Sequence, residues 1–182
     1  MTQNNYTAKD ITVLEGLEPV RKRPGMYIGS TDEKGLHHLL IEIFDNSLDE
    51  AIGNHAKNIR VLLHQDGFVS ISDDGRGIPI DNHSSGVSAL ELAMTKLHAG
   101  GKFSQSAYQA SGGLHGVGAS AVNALSVQMR VLVKRNNGFF TQSYKVGKPD
   151  DKVKEISKTQ AKDLIPDFHA NFLDQESGTL TM

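Results

Sequence analysis

Apolar residues recur every three or four positions between residues 35 and 51, in the stretch GLHHLLIEIFDNSLDEA. That spacing matches the turn of an α-helix, so it predicts one helix with an apolar stripe that packs against the rest of the fold. The stripe consists of Leu36, Leu39, Leu40, Ile43, Phe44 and Leu48. We expect the other elements of the chain to be arranged around this helix.

The other face of the same helix is acidic. Glu42 and Asn46 are four residues apart and therefore lie together, as do Asp45 and Asp49. A solvated helix usually mixes Lys and Arg among such acids, but none occurs between Lys34 and Lys57. Such a face suits contact with solvent. It also suits the binding of a hydrated metal ion with phosphates, with one of the carboxylates acting as a general base on a water molecule. The helix alone leaves both interpretations open.

Alternation of apolar and polar residues predicts two strand pairs, each joined by residues that favour a tight turn. The strands are residues 58–64 and 68–72 around Asp66-Gly67, and residues 127–135 and 139–146 around Asn136-Asn137-Gly138. Shorter helices are predicted at residues 11–20, 88–98, 119–125 and 160–164, and a last strand at residues 178–182, which we expect to be cut short within a larger protein.

Hairpins interleaved with helices, without the regular alternation of parallel βαβ units, indicate the α+β class. We predict a two-layer sandwich in which helices cover a mixed, mainly antiparallel sheet. The chain has 182 residues, a net charge of −2 and no cysteine, which fits one domain without disulfides or a basic field for nucleic acid. No apolar run approaches the ~20 residues of a membrane helix. We therefore expect a cytoplasmic protein that does not bind a membrane.

Asp73 follows a mostly apolar predicted strand and opens the motif DDGRGIP. A carboxylate at the end of a buried strand needs a hydrogen-bond donor, because burying it unpaired is unfavourable. The exocyclic amino group of adenine is a suitable donor, since an ionised carboxylate only accepts hydrogen bonds. The same residues also fit an ordinary tight turn, so this motif alone does not decide between the two.

Four glycines occur within the seven residues 112–118, directly before a predicted helix. Closely spaced glycines allow successive backbone N–H groups to point at one anion, and a helix N-terminus favours negative charge. The motif is not a Walker A loop, because no Gly-Lys-Ser/Thr follows. A phosphate site and a plain flexible loop both remain possible, and Lys102 is either a phosphate ligand or a surface lysine.

His38 lies one helical turn before Glu42, a spacing that suits either a shared metal ion or a hydrogen bond. No HExxH arrangement accompanies the pair, so a zinc site is disfavoured and orientation of Glu42 by His38 is the simpler interpretation. The histidines at positions 55, 64, 83, 98 and 169 are expected to have no chemical role.

Several motifs together resemble a known family. They are VRKRPGMYIGST at 20–31, EIFDNSLDEA at 42–51, DDGRGIP at 73–79, HAGGKF at 98–103, SGGLHGVG at 111–118 and GT at 178–179. They are similar to the ATPase domain of bacterial type IIA topoisomerases, which has the Bergerat ATP-binding fold. The resemblance covers most of the chain, from Tyr6 to Thr179, and is weakest over residues 147–177.

The resemblance implies ATP and Mg²⁺ as cofactors and assigns a role to individual residues. Glu42 would be the general base, oriented by His38, and Asn46 would ligate Mg²⁺. Asp73 would accept the adenine amino hydrogen, with Thr179 and a bound water completing that contact. The remaining nucleotide contacts would come from Tyr6, Arg76, Gly77, Ile78, Pro79, Lys102, Tyr108, Gly113, Leu114, His115, Gly116, Val117, Gly118 and Ala119. Arg135 matches a position at the pocket rim where ATP-competitive inhibitors bind.

The resemblance also implies an organisation and partners. Residues 1–182 would form the ATPase domain, with a dimerisation arm at residues 1–11 and an ATP lid at about 102–117. Tyr6 and Ile11 would contact a second copy of the chain, and the nucleotide that Tyr6 touches would be the one bound by that second copy. The transducer and later domains, through which the family binds DNA and the A subunit, would lie beyond this chain. Residues 17–20 and 45–47 favour topoisomerase IV over gyrase. A phosphotransfer module and a structural domain without nucleotide are the alternatives from other classes.

Overall fold

The computed structural model describes residues 7–99 and 117–182. Six α-helices are found there: α1 Glu18–Lys22, α2 Gly25–Ile28, α3 Glu33–Ile52, α4 Ala89–Thr95, α5 Gly118–Leu125 and α6 Lys158–Leu164. The strands are β1 Ile59–Leu63, β2 Val69–Asp73, β3 Gln128–Arg135, β4 Gly138–Lys145, β5 Lys148–Pro149, β6 Lys154–Ile156 and β7 Gly178–Thr181. Two 3-10 helices span Ala8–Asp10 and Asp167–Leu173.

The strands form one sheet in the order β1-β2-β7-β3-β4-β5, and β6 also pairs with β4. Every strand pair among the described residues is antiparallel. The α+β fold with a mainly antiparallel sheet is thereby confirmed. The strand at residues 178–181 lies in the middle of the sheet, where it pairs with β2 on one side and β3 on the other.

Successive residues of a strand face opposite sides of the sheet, and here both sides are buried. On one side, Val131 and Val133 pack with residues of α3, α4 and α5, including Ile43 and Leu90. On the other side, the intervening Leu132 packs with Leu180, with Ala161 of α6 and Ile165 directly after it, and with Phe172 of the second 3-10 helix. The long helix α3 is therefore fixed to the sheet by the middle of its predicted stripe, namely Leu39, Leu40, Ile43 and Phe44. The prediction is wrong for Leu36 and Leu48, which are exposed.

The two hairpins are confirmed, and each turn has the backbone that its residues favour. Gly67 has φ +87°, and Asn136 and Asn137 have φ +53° and +62°. The predicted helix at residues 11–20 is wrong, because the helix there begins only at Glu18. Gly16 has φ +59°, which ends any helical path before it, and Pro19 occupies the first turn of α1, where its missing N–H is tolerated.

His169 is completely buried between the second 3-10 helix and β2. Its Nε2 is 2.8 Å from Ser70 Oγ and its Nδ1 is 2.8 Å from Ser72 Oγ. His64 extends this network, with its Nε2 2.7 Å from Ser70 Oγ. Burial, and to a smaller extent the neighbouring His64 and Arg60, lower the pKa of His169 to about 4. His169 therefore joins two layers of the fold in its neutral form.

Acid sensitivity follows from the buried His169. Its pKa lies below the unfolded value of 6.5, so the unfolded chain takes up the proton first as the pH falls. The stability that neutral His169 contributes is complete above pH 6.5 and is lost as the pH falls toward 4. Between pH 7.5 and 5, we expect the free energy of unfolding to fall by up to about 2 kcal/mol more in the wild type than in His169→Gln. Urea unfolding at both pH values measures this difference, and parallel decreases in the two proteins would contradict it.

Candidate functional site

The polar face of α3 holds the predicted base and its orienting histidine in contact. His38 Nε2 lies 3.0 Å from Glu42 Oε1, one helical turn along α3. The Glu42 side chain is 28% exposed, so its carboxylate is reachable by water. Within residues 7–99 and 117–182, no three His, Cys, Asp or Glu side chains are grouped so that they could hold a metal ion.

The start of α5 lies directly against Glu42. A Cβ added at Gly118 would be 2.0 Å from Glu42 Oε2, so no side chain fits at position 118 while Glu42 keeps this position. Glycine here brings the first turn of α5 next to the carboxylate, where backbone N–H groups without a helical partner favour negative charge. The last residue of the predicted glycine motif, Gly118, is therefore adjacent to the predicted base.

Asp73 ends β2 and is 5% exposed. Its Oδ2 accepts a hydrogen bond from Ser47 Oγ at 2.8 Å, and its Oδ1 accepts one from the Gly75 amide at 3.0 Å. Burial raises the pKa of Asp73 to about 6, although these hydrogen bonds and one from the Thr179 amide act in the opposite direction. Asp73 is thus mostly ionised at neutral pH, and a carboxylate with up to four lone-pair sites accepts further donors.

Asp74, the neighbouring acid, has a different environment. Its Oδ1 accepts hydrogen bonds from the backbone amides of Lys57 and Asn58 at 2.7 and 2.9 Å. The Asn58 side chain donates to Oδ2 at 2.8 Å. These three bonds join the end of β2 to the segment before β1. In the DDGRGIP motif, the second aspartate is therefore structural, and the first faces α3.

The turn after β2 is joined to α3 by an ion pair. Arg76 donates from Nη2 to Glu50 Oε1 at 2.7 Å and from Nε to Glu50 Oε2 at 3.0 Å. The Arg76 amide also donates to Glu50 Oε2, at 3.0 Å. Such a bidentate ion pair fixes the orientation of both groups more firmly than a single hydrogen bond does. Glu50 is not among the residues that the sequence predicts for the site, and its one signal there is its place two turns after Glu42.

The far side of the turn is held by β7 and β3. The Ile78 amide donates to Thr179 Oγ1 at 3.2 Å. Arg135 Nη1 donates to the carbonyl oxygen of Gly77 at 2.8 Å and to that of Arg76 at 3.3 Å. Gly77 has φ +74°, and a Cβ there would be 2.8 Å from the Lys134 carbonyl oxygen, so the turn needs glycine at this position. Thr179 and Arg135 therefore both contact the predicted adenine turn.

The structure thus brings most of the described site residues into one strip. Three contacts connect its parts: Glu42 with Gly118, Ser47 with Asp73, and Glu50 with Arg76. Ser47 has no separate signal in the sequence, although it directly follows Asn46 on α3. The predicted site residues Tyr6, Lys102, Tyr108, Gly113, Leu114, His115 and Gly116 lie outside the described residues, as does nearly all of the predicted lid.

Residues 31–148 match the family described as histidine kinase-, DNA gyrase B- and HSP90-like ATPases. The chain belongs to this ATPase family. The matched range contains α3, the turn after β2 and the start of α5, which carry the strip of site residues. Membership of the family implies ATP as the ligand of the site. It also confirms the resemblance on which the residue assignments rest.

The chain is similar to curated proteins that are subunits of two kinds of enzyme. The chain is 56% identical over 165 residues to the B subunit of DNA topoisomerase 4 from Caulobacter vibrioides, with 90% of this chain and 24% of that protein covered. It is also 56% identical over 168 residues to the B subunit of DNA gyrase from Haloferax volcanii, with 91% and 26% covered. The chain therefore spans about a quarter of the length of these relatives, and equal identity does not separate the two enzymes.

A solved member of the ATPase family has the same fold. The 43K ATPase domain of Thermus thermophilus gyrase B, in complex with an aminocoumarin, superimposes with a TM-score of 0.70 at 34% identity. The match covers 91% of this chain and 38% of that one. In the part of this chain that the structure describes, no helix is both long and apolar enough to cross a membrane.

Proposed function

We propose that this chain binds and hydrolyses ATP as the N-terminal domain of the B subunit of a type IIA topoisomerase. In the whole protein, nucleotide-driven dimerisation would power the passage of one DNA duplex through another. The observation that carries the proposal is the strip in which Asp73, Glu42 and the start of α5 share one surface. Asp73 can accept a hydrogen bond from adenine, Glu42 can take a proton from water, and the start of α5 favours the negative charge of phosphates. A site that hydrolyses ATP uses all three.

Asp73 would recognise the base. Its buried carboxylate accepts the adenine amino hydrogen, and Thr179 with a bound water completes that contact. Arg76, Gly77, Ile78 and Pro79 line the base, and their positions are fixed by Glu50, Arg135 and Thr179. Guanine presents a carbonyl oxygen where adenine presents the amino group, so an ionised Asp73 disfavours it.

Glu42 would act on the attacking water. The carboxylate accepts a proton as the water oxygen bonds to the terminal phosphorus and the bond from that phosphorus to ADP breaks. His38 keeps the carboxylate oriented during that transfer. Glu42 lies next to Gly118, so water held by this base is close to phosphates bound at the start of α5. The amides of Val117, Gly118 and Ala119 would contribute to phosphate binding, together with Lys102 and the amides of residues 113–116. Tyr108 would lie in the lid over the nucleotide.

Asn46 would hold Mg²⁺. It lies on α3 one turn after Glu42 and one turn before Glu50. Mg²⁺ in nucleotide sites keeps several waters and takes only one or two protein oxygens in addition to the phosphates, so a single amide oxygen fits the ion. When bound, the ion neutralises phosphate charge.

A thermal shift tests nucleotide binding. A ligand that binds only the native state stabilises it by about 2.7 kcal/mol when its concentration is 100 times the dissociation constant. We therefore expect ATP with Mg²⁺ to raise the melting temperature of the chain by several degrees, and GTP with Mg²⁺ to raise it less. The absence of a shift at millimolar ATP would instead favour a structural domain without nucleotide.

The proposed function also implies macromolecular partners and one of two enzyme types. A second copy of the chain, the A subunit of the topoisomerase and DNA would be the macromolecular partners, the last two through domains that follow this one. We favour topoisomerase IV because of residues 17–20 and 45–47, and the gyrase relatives make gyrase B the alternative. ATP-competitive inhibitors would bind the same pocket, with Arg135 at its rim, since the related Thermus domain binds an aminocoumarin.

A further inference from the structure

The turn that follows Asp73 is held by side chains at three alternate carbonyl groups. The carbonyl oxygen of Gly77 accepts from Arg135, as described above. The carbonyl oxygen of Asp73 accepts from Gln175 Nε2 at 2.8 Å, and that of Gly75 accepts from Ser177 Oγ at 2.6 Å. Gln175 and Ser177 precede β7, and both of these hydrogen bonds go to the backbone of the turn.

We propose that Gln175 and Ser177 are positioning residues that set the adenine selectivity of the site. They act through the shape of the turn, which determines where the Asp73 carboxylate and the Ile78 amide lie relative to Thr179. This inference rests on the proposed function and adds to it the means by which the base-recognising turn keeps its geometry.

The register of the sheet explains why side chains are needed here. Ile71 pairs with Thr181 and Ser72 with Leu180, and the same register continued places Ser177 opposite Gly75. The backbone ladder ends before that point, because β2 ends at Asp73 and β7 begins at Gly178. The Ser177 hydroxyl therefore supplies, to the Gly75 carbonyl, a bond that the neighbouring strand no longer gives.

Close packing at Gly178 shows that the arrangement has little free space. A Cβ at position 178 would lie 2.1 Å from the Asp73 carbonyl oxygen and 2.2 Å from Gln175 Nε2. The start of β7 therefore reaches the turn only because this residue has no side chain. Gln175 and Ser177 are partly buried, whereas Glu176 between them is exposed, so alternate side chains of this segment face the turn.

A loosened turn would weaken the binding of adenine more than the binding of the phosphates. A hydrogen bond between Asp73 and the adenine amino group needs a separation of about 3 Å, so a small shift of the turn weakens it. Among the described hydrogen bonds, none joins Gln175 or Ser177 to the general base Glu42 or to the start of α5. Selectivity between ATP and GTP therefore reports on the turn, whereas overall folding does not change that ratio.

The test compares the affinities for ATP and GTP in Ser177→Ala and Gln175→Ala, with Glu176→Ala as the matched control. We expect each of the first two variants to bind ATP about tenfold more weakly, as the loss of one hydrogen bond to the turn predicts, and to lose preference for ATP over GTP by a similar factor. Ser177→Thr keeps the hydroxyl and is expected to restore both values. Glu176→Ala is expected to match the wild type.

The outcomes separate this proposal from the one it rests on. A wild-type chain that binds neither nucleotide, or shows no preference for ATP, would overturn the proposed function itself. A wild-type preference that survives unchanged in both alanine variants would overturn only the positioning role, even if their melting temperatures fall. The selectivity is a ratio measured on the same sample, so a partly unfolded variant still gives a usable answer.

Discussion

Glu42→Ala is expected to abolish most ATP hydrolysis while leaving ATP binding nearly unchanged. Removal of a general base lowers the rate of the chemical step, and such groups contribute about 10²- to 10⁴-fold. Binding is retained because Asp73, the turn and the phosphate contacts are untouched. Phosphate release at saturating ATP, measured in the full protein that contains this domain, gives the rate, and a titration gives the affinity.

Asp45→Ala is the matched control for the base. Asp45 lies on the same helix, three residues after Glu42, and has no catalytic role in the proposal. We expect this variant to hydrolyse ATP at close to the wild-type rate. Near wild-type hydrolysis by Glu42→Ala would show that the base assignment is wrong, whereas equal losses in both variants would point to a general effect of charge on α3.

Asp73→Asn is expected to weaken ATP binding by about 1–3 kcal/mol, or roughly 5- to 150-fold. The amide that replaces the carboxylate is half donor, so it opposes the adenine amino group with a donor of its own in one orientation. The other orientation disturbs the bonds from Ser47 and the Gly75 amide. A nucleotide titration at pH 7.5 measures the loss.

Asp74→Asn controls for the change from acid to amide. Asp74 is bonded to Lys57 and Asn58 and not to α3, so its substitution is expected to lower stability and leave ATP affinity within about twofold. The pKa of about 6 adds a second signature for Asp73. Because the ionised carboxylate is the acceptor, the ratio of wild-type to Asp73→Asn affinity should fall as the pH is lowered through 6. An unchanged affinity in Asp73→Asn would refute the adenine assignment.

The parts of the fold that depend on local spacing could be predicted from the sequence. The apolar stripe of α3 and the glycine and asparagine turns of the two hairpins each specify their own structure within a few residues. The helix predicted at residues 11–20 is wrong because the prediction considered only the spacing of apolar residues. The positive φ of Gly16 and the position of Pro19 in the first turn place the start of the helix at Glu18.

Non-local pairing is what the sequence could not predict. A four-residue strand such as β7 carries no signal for its neighbours, and its place between β2 and β3 depends on contacts across the whole chain. The same holds for the site. Motifs and the family resemblance indicate Glu42, Asn46 and Asp73, but Ser47, Gln175 and Ser177 join the site only through contacts made in three dimensions.

The central place of β7 has a consequence for synthesis on the ribosome. Thr179 follows Asp73 by 106 residues, so β2 and the β3–β4 hairpin emerge well before the strand that joins them. Until residues 178–181 arrive, both neighbours expose unpaired edges, and such edges favour aggregation. The turn after β2 also lacks its hydrogen bond from the Ile78 amide to Thr179 during that interval. A nascent chain therefore completes the sheet only when residues 178–181 have emerged and paired with β2 and β3.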